Sequence, residues 1–248
     1  MSDQNTSMLA KVRAILAKAE DPAASPEEAQ AYFAKAADLM SKYGIERAML
    51  AETKPETDRP TTRVFTESGS YVLDRVGLLM SINDALGGQS VRWRVWDGGA
   101  KKYVQRVELH GYESMLDRVE MLYTSLILQA FNGMKHGSPG IGESPIAYRK
   151  TWLAGFRNAV VERLDAAEHQ AVEEADLALP SGARSAEVVL ASREETILAI
   201  FKAAHPKVRP ARRRRLTGSG WRAGHKAGTQ ADLGGPRLGK GRRPALAG

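Results

Sequence analysis

Apolar positions recur at helical spacing from the start of the chain, and their period falls most clearly to two near residue 91. Leu9, Val12, Leu16 and Ala19 predict a helix over 8–20, which Asp21-Pro22 ends. Ser25-Pro26-Glu27-Glu28 then reads as a helix start, with Ser25 as N-cap, Pro26 at the first helical position and Glu28 reaching back. Ala29, Tyr32, Phe33, Ala36, Ala37, Met40 and Tyr43 form the stripe of this second helix, and Gly44 fits a left-handed cap that ends it. Two such helices make an αα-hairpin. A polar linker with prolines follows, and a short strand is predicted over 63–66. Val72, Val76, Leu79, Met80 and Leu86 predict a third helix, ended by Gly87-Gly88.

The period then falls to two. Val91-Arg92-Trp93-Arg94-Val95 alternates, residues 105–109 continue the alternation, and Asp97-Gly98-Gly99 supplies turn chemistry. A β-hairpin is expected, with Val91, Trp93, Val95, Val107 and Leu109 facing the core. Arg92, Arg94, Trp96, Arg106 and His110 are expected on the opposite face. Helical spacing returns over 113–135 and 147–177, separated by a Gly, Ser and Pro-rich connector at 137–145. A strand over 186–191 and a helix capped at Ser192 and ending near Ala204 complete the body. The pattern predicts an α+β protein: an N-terminal αα-hairpin at 1–52, a linker at 53–66, a helix-rich domain with a small antiparallel sheet at 67–205, and a basic, mostly flexible tail at 206–248.

Charge adds a division that hydropathy does not show. Residues 206–248 hold twelve of the 36 Lys and Arg but one of the 29 acids, so the tail carries +11 and the rest −4 within the net +7. An acidic body with a basic tail suggests a polyanionic partner. Arg212, Arg213, Arg214 and Arg215 stand in a row and suit phosphate contacts. On the hairpin, Arg92, Arg94 and Arg106 with Trp96 and Lys101-Lys102 combine cations with a ring that can stack on a base. The same residues also fit a solvated sheet face whose Arg stems pack and whose heads reach water. Gly220, Gly224 and Gly228 repeat every four residues, consistent with a short helix docked closely on another element or with a flexible stretch.

Catalytic chemistry is weakly signalled. The chain has no cysteine, which removes disulfides, thiolate catalysis and Cys-ligated metals. Of the five histidines, His169 pairs with Glu173 at a spacing of four, a pattern more often a surface contact than a metal site. Glu108, Glu113, Asp117, Glu120, Glu162 and Asp165 are candidate acids with no visible pairing. No catalytic residue, metal or cofactor is expected. No apolar run reaches the roughly 20 residues of a membrane helix, and residues 1–7 lack a signal pattern, so a cytoplasmic location without membrane contact is expected.

The segments Lys11-Val12-Arg13-Ala14-Ile15-Leu16-Ala17-Lys18-Ala19, Ser25-Pro26-Glu27-Glu28-Ala29 and Lys35-Ala36-Ala37-Asp38-Leu39-Met40-Ser41-Lys42-Tyr43-Gly44-Ile45 resemble domain-of-unknown-function family 2786. Tyr148-Arg149-Lys150-Thr151-Trp152-Leu153-Ala154-Gly155-Phe156 and Gly220-Trp221-Arg222-Ala223-Gly224 are similar to an uncharacterised domain, number 7168, that often follows it. The resemblance implies an architecture and a bacterial or bacteriophage setting, and no activity. The expected function is a non-catalytic nucleic-acid-binding accessory protein acting mainly through the Arg-rich tail. The alternative is an assembly module that meets a protein partner or a second copy through the N-terminal hairpin.

Overall fold

A computed structural model describes residues 14, 15, 18, 26–180, 182–211 and 214–231, with the backbone alone for 26–34 and 36–38. Of the helix expected over 8–20, Ala14, Ile15 and Lys18 are described and are helical. The rest of that helix and the Ser25 cap lie outside the described residues. The elements that follow are helix α1 (Pro26–Thr53), strand β1 (Pro60–Glu67), helix α2 (Val72–Ala85), strands β2 (Gln89–Asp97) and β3 (Lys102–Tyr112), and helices α3 (Glu113–Lys135), α4 (Pro145–Leu177), α5 (Ala186–Ala204) and α6 (Trp221–Gln230). The α+β class is thereby established among the described residues.

The sheet is antiparallel in the order β1-β3-β2. One face carries Phe65, Val107 and Leu109, which pack into the main core with Val76, Leu79 and Ile82 of α2 and Leu116, Val119 and Leu126 of α3. Val160, Phe156 and Trp152 of α4 complete that core, so the long helix α4 is the pillar against which the other helices rest. Helix α5 covers part of the opposite sheet face.

Three expected element boundaries move. Helix α1 does not end at Gly44 but runs through it to Thr53. The glycine is needed for closeness rather than for a cap: a Cβ there would lie 2.1 Å from Nη1 of Arg118. Arg118 is buried and ion-paired with Glu168, and Glu168 also accepts from Ser41 Oγ at 2.9 Å, so α1, α3 and α4 share one charged contact. Met40, Tyr43, Ile45 and Ala48 of α1 are buried within this chain. The segment 186–191 is helix, not strand. Ser185 caps α5 by accepting from Val188 N at 3.3 Å, Ala186, Val189, Ile197 and Phe201 face inward, and Ser192 is an interior helical residue. Strand β1 extends over eight residues, taking in part of the segment expected as linker. Ahead of it, Asp58 accepts from Ser114 N at 3.0 Å and Ser114 Oγ at 2.7 Å and pairs with Arg193. A linker aspartate thus satisfies an N–H at the start of α3, which its flanking Tyr112 cannot do.

The glycines at 220, 224 and 228 settle into a docked helix. Cβ atoms on them would lie 2.4 Å from Tyr148 O, 1.8 Å from Trp152 O and 2.5 Å from Phe156 O. Helix α6 therefore runs parallel to α4, with its glycine ridge on one carbonyl row of its neighbour. Gly155 reciprocates, its own Cβ position being 2.1 Å from Trp221 O. No described helix is long and apolar enough to cross a membrane.

Candidate functional site

Two groups of side chains stand out, one at each end of the β2–β3 hairpin. At its tip, Asp97 pairs with Lys102, and Asp97 Oδ1 accepts from Gly99 N and Ala100 N, both at 3.0 Å. Lys101 adopts a left-handed φ of 48° to close the loop. The turn is held by its own hydrogen bonds, which orders the residues beside it.

The register overturns the expected faces. Arg92 sits opposite Val107, Arg94 opposite Gln105, Trp96 opposite Tyr103, and Trp93 opposite Arg106. Directly paired residues share a face. Because residues 98–101 are the loop, the paired numbers are of opposite parity. Arg92, Arg94 and Trp96 therefore share the face of Val107 and Leu109. Arg106 and His110 lie on the other face with Val91, Trp93 and Val95. The four expected contact residues of the hairpin do not form one surface: Arg106 stands apart, exposed, with Glu108 at 3.9 Å.

On the first face the tip projects beyond the helices. Trp96 is 54% and Tyr103 55% exposed, with ring centroids 5.1 Å apart in an edge-to-face pair. The Arg94 guanidinium lies 3.7 Å from the Tyr103 centroid, and Arg92 Nη1 donates to Gln105 Oε1 at 3.2 Å. Lys101 and Lys102 are exposed beside them. Tyr103 was not singled out by sequence reasoning; its signal is register, since it pairs with Trp96 across the turn.

In the Arg run, Arg212 and Arg213 lie outside the described residues. Arg214 Nη1 donates to Asp74 Oδ1 at 2.8 Å, and Arg215 is exposed. Burial lowers the pKa of Arg157, which Asp74 opposes and Arg214 reinforces, so Asp74 faces two guanidinium groups.

At the root of the hairpin, on the second face, Glu108 and His110 of β3 meet His205, the residue that ends α5. His110 Nε2 is 3.0 Å from His205 Nε2, and His205 Nε2 is 3.5 Å from Glu108 Oε2. Thr62 Oγ1 of β1 lies 3.1 Å from His110 Nδ1. Phe201 and Trp93 wall the cluster, with ring centroids 5.1 Å and 6.2 Å from that of His205. Burial lowers the pKa of His110; His205 adds to this and Glu108 opposes it. This is the one group of three metal-competent side chains among the described residues. His169 and Glu173 stand exposed on α4 outside it. The other candidate acids do not converge with Glu108: Asp117 and Glu120 both pair with Arg63, and Glu162 lies 3.3 Å from His225.

Among known proteins, the family described as a protein of unknown function (DUF2786) matches residues 7–47, the segment expected from the sequence to form the first helical hairpin. No curated protein and no solved structure matches the chain.

Proposed function

We propose that this chain is a nucleic-acid-binding accessory protein that takes single strands on the β2–β3 tip and holds their phosphates with the Arg-rich segment. One observation carries the reading. The tip presents two exposed rings in edge-to-face contact and a guanidinium lying over one of them, next to Lys101 and Lys102. An aromatic platform with adjacent cations suits unpaired bases, because every base has a face to stack and every nucleotide a charge to neutralise. Arg215 and the tail basics supply a longer-range attraction that the net acidic body does not. A bacterial or phage setting and a cytoplasmic location fit this reading, as does the similarity of 148–156 and 220–224 to domain 7168. The role needs no chemistry at the tip, only binding.

The test is fluorescence anisotropy with labelled single-stranded DNA and RNA across salt. Wild type is compared with Trp96→Ala and with Arg212, Arg213, Arg214 and Arg215 all changed to Gln. Binding that weakens with salt, and that Trp96→Ala reduces, is expected. Absence of binding at low salt to either strand, or affinity untouched by both variants, overturns the proposal.

A further inference from the structure

The cluster at the root of the hairpin serves no part of nucleic-acid binding at its tip, and it has the composition of a metal site. Two imidazoles and a carboxylate present one donor atom each, all within 4.8 Å of one another. We infer that Glu108, His110 and His205 are the protein ligands of a divalent transition-metal ion of the zinc class, which ties the end of α5 to the central strand.

Strand geometry supplies the first two ligands. Residues two apart on β3 point to the same face, so Glu108 and His110 reach the same side without a special loop. Helix α5 supplies the third by ending there: its backbone leaves the helix at His205, with φ −127° and ψ 58°. Two nitrogens bound at zinc distances with a tetrahedral angle lie about 3.3 Å apart, and the two Nε2 atoms are 3.0 Å apart. A small movement of either ring therefore seats an ion.

The surroundings meet the further needs of such a site. A metal-bound imidazole ordinarily donates from its other nitrogen to a neighbouring acceptor, which fixes its tautomer and aim. Thr62 Oγ1 stands at His110 Nδ1 in that role and leaves Nε2 with its lone pair toward the cluster. The carboxylate offsets part of the ion's charge. Phe201 and Trp93 limit water on the flanks, while His205 and Glu108 each keep 18% side-chain exposure, a path by which an ion enters and at which a water or a small anion completes the coordination. With two nitrogens, one oxygen and no sulfur, the site suits zinc, and also nickel or ferrous iron, better than magnesium or calcium. A hydrogen bond from His205 Nε2–H to His110 Nε2 is the competing account of the same contact, and it predicts no affinity for metal.

The experiment uses the full chain, stripped with chelator and titrated with zinc by calorimetry, with melting followed in parallel. One zinc per chain at micromolar affinity or tighter is expected, with Tm raised by about 5–10 °C when free zinc exceeds Kd by a hundredfold. His205→Gln and Glu108→Gln each weaken binding by about 100-fold or more, and Thr62→Val by about tenfold, while the metal-free melting temperatures stay near wild type. His169→Gln, an exposed control, leaves zinc binding unchanged. Absence of zinc binding by wild type, or equal affinity in wild type and His205→Gln, overturns the site. Should His205→Gln not fold, equal affinity in wild type, Thr62→Val and Glu108→Gln does so instead. Trp96→Ala leaves zinc binding intact, so failure of this site and failure of the nucleic-acid reading are separable.

Discussion

Residues 206–231 and the β2–β3 tip are both cationic, yet they are held in opposite ways. The C-terminal segment is bound to its own protein. Arg214 pairs with Asp74, Ser219 donates its N–H and its Oγ–H to Glu143, both at 2.6 Å, and α6 lies along α4 on glycine. The hairpin tip is ordered by its turn and by ring contacts, but its rings and charges stay presented to solvent. Charge density along a sequence shows neither condition. A cation beside glycines and small residues can belong to a docking element, whereas one beside an aromatic on a projecting strand keeps its outer face free. The comparison also changes how the tail must be tested. Cutting the chain after residue 205 removes α6 and uncovers Trp152 and Phe156, so lost binding after such a cut reports unfolding as much as lost charge. Substitution within the Arg run, or truncation after Ala231, avoids this.

The largest effect is expected where the C-terminal segment touches α4 most closely. Gly224→Val must displace a backbone carbonyl, since even a Cβ would lie 1.8 Å from Trp152 O. Helix α6 then separates from α4, and stability falls by about 2–4 kcal/mol through overpacking and lost burial. Calorimetric melting checks the total, and hydrogen exchange should show the loss confined first to amides of 221–230. Gly98→Ala in the hairpin loop, where nothing lies within 4 Å of the added carbon, should leave melting unchanged. A Gly224→Val protein that melts like wild type would show that the tail is not bound as described.

Next comes the tip, where the effect falls on binding and not on folding. Trp96→Ala is expected to cost about 1–3 kcal/mol of affinity for single strands, the usual worth of one stacked base. Its melting temperature should match wild type, because the ring is more than half exposed and touches chiefly Tyr103. Smaller again is Arg214→Gln. The pair with Asp74 sits at the surface on the arginine side, so about 0–1 kcal/mol of stability is at stake. Because this arginine is already engaged, its loss should change the salt dependence of binding less than loss of Arg94 does. The reverse order would mean that Arg214 leaves Asp74 to hold phosphate.

Much of the fold was legible. The helix over 113–135 has the bounds the apolar spacing predicts, and Gly87, with φ of 85°, ends α2 as its sequence suggests. Several failures share a physical cause: the deciding contact was distant. Gly44 looked like a cap because the buried Arg118 that makes it necessary is on another helix. Hairpin alternation was visible, but which residues share a face depends on the parity fixed by loop length, which alternation alone leaves open. The histidine cluster joins positions 95 residues apart. Its only local signal was Glu108-x-His110 on a strand, which places two ligands on one face and says nothing of a third. Glycines at 220, 224 and 228 allowed a docked helix, and only the carbonyl row of α4 shows that docking occurs.

Glu143 offers the finest control over the contrast between bound tail and free tip. Its carboxylate accepts from Ser219 Oγ, Ser219 N and Gly140 N, and these bonds hold its pKa below the ordinary 4.5. A depressed folded-state pKa means that the unfolded chain takes up the proton first. The clasp therefore contributes above pH 4.5 and fades as pH falls through the folded-state value. At neutral pH, Glu143→Gln should speed amide exchange at the start of α6 while leaving Trp96-dependent binding unchanged. As pH drops below 4.5 the difference between variant and wild type should shrink toward zero. A difference that grows with acidity would mean that the protonated acid, not the carboxylate, holds Ser219. A difference equally large at every pH would assign the effect to the shape of the connector and not to its charge.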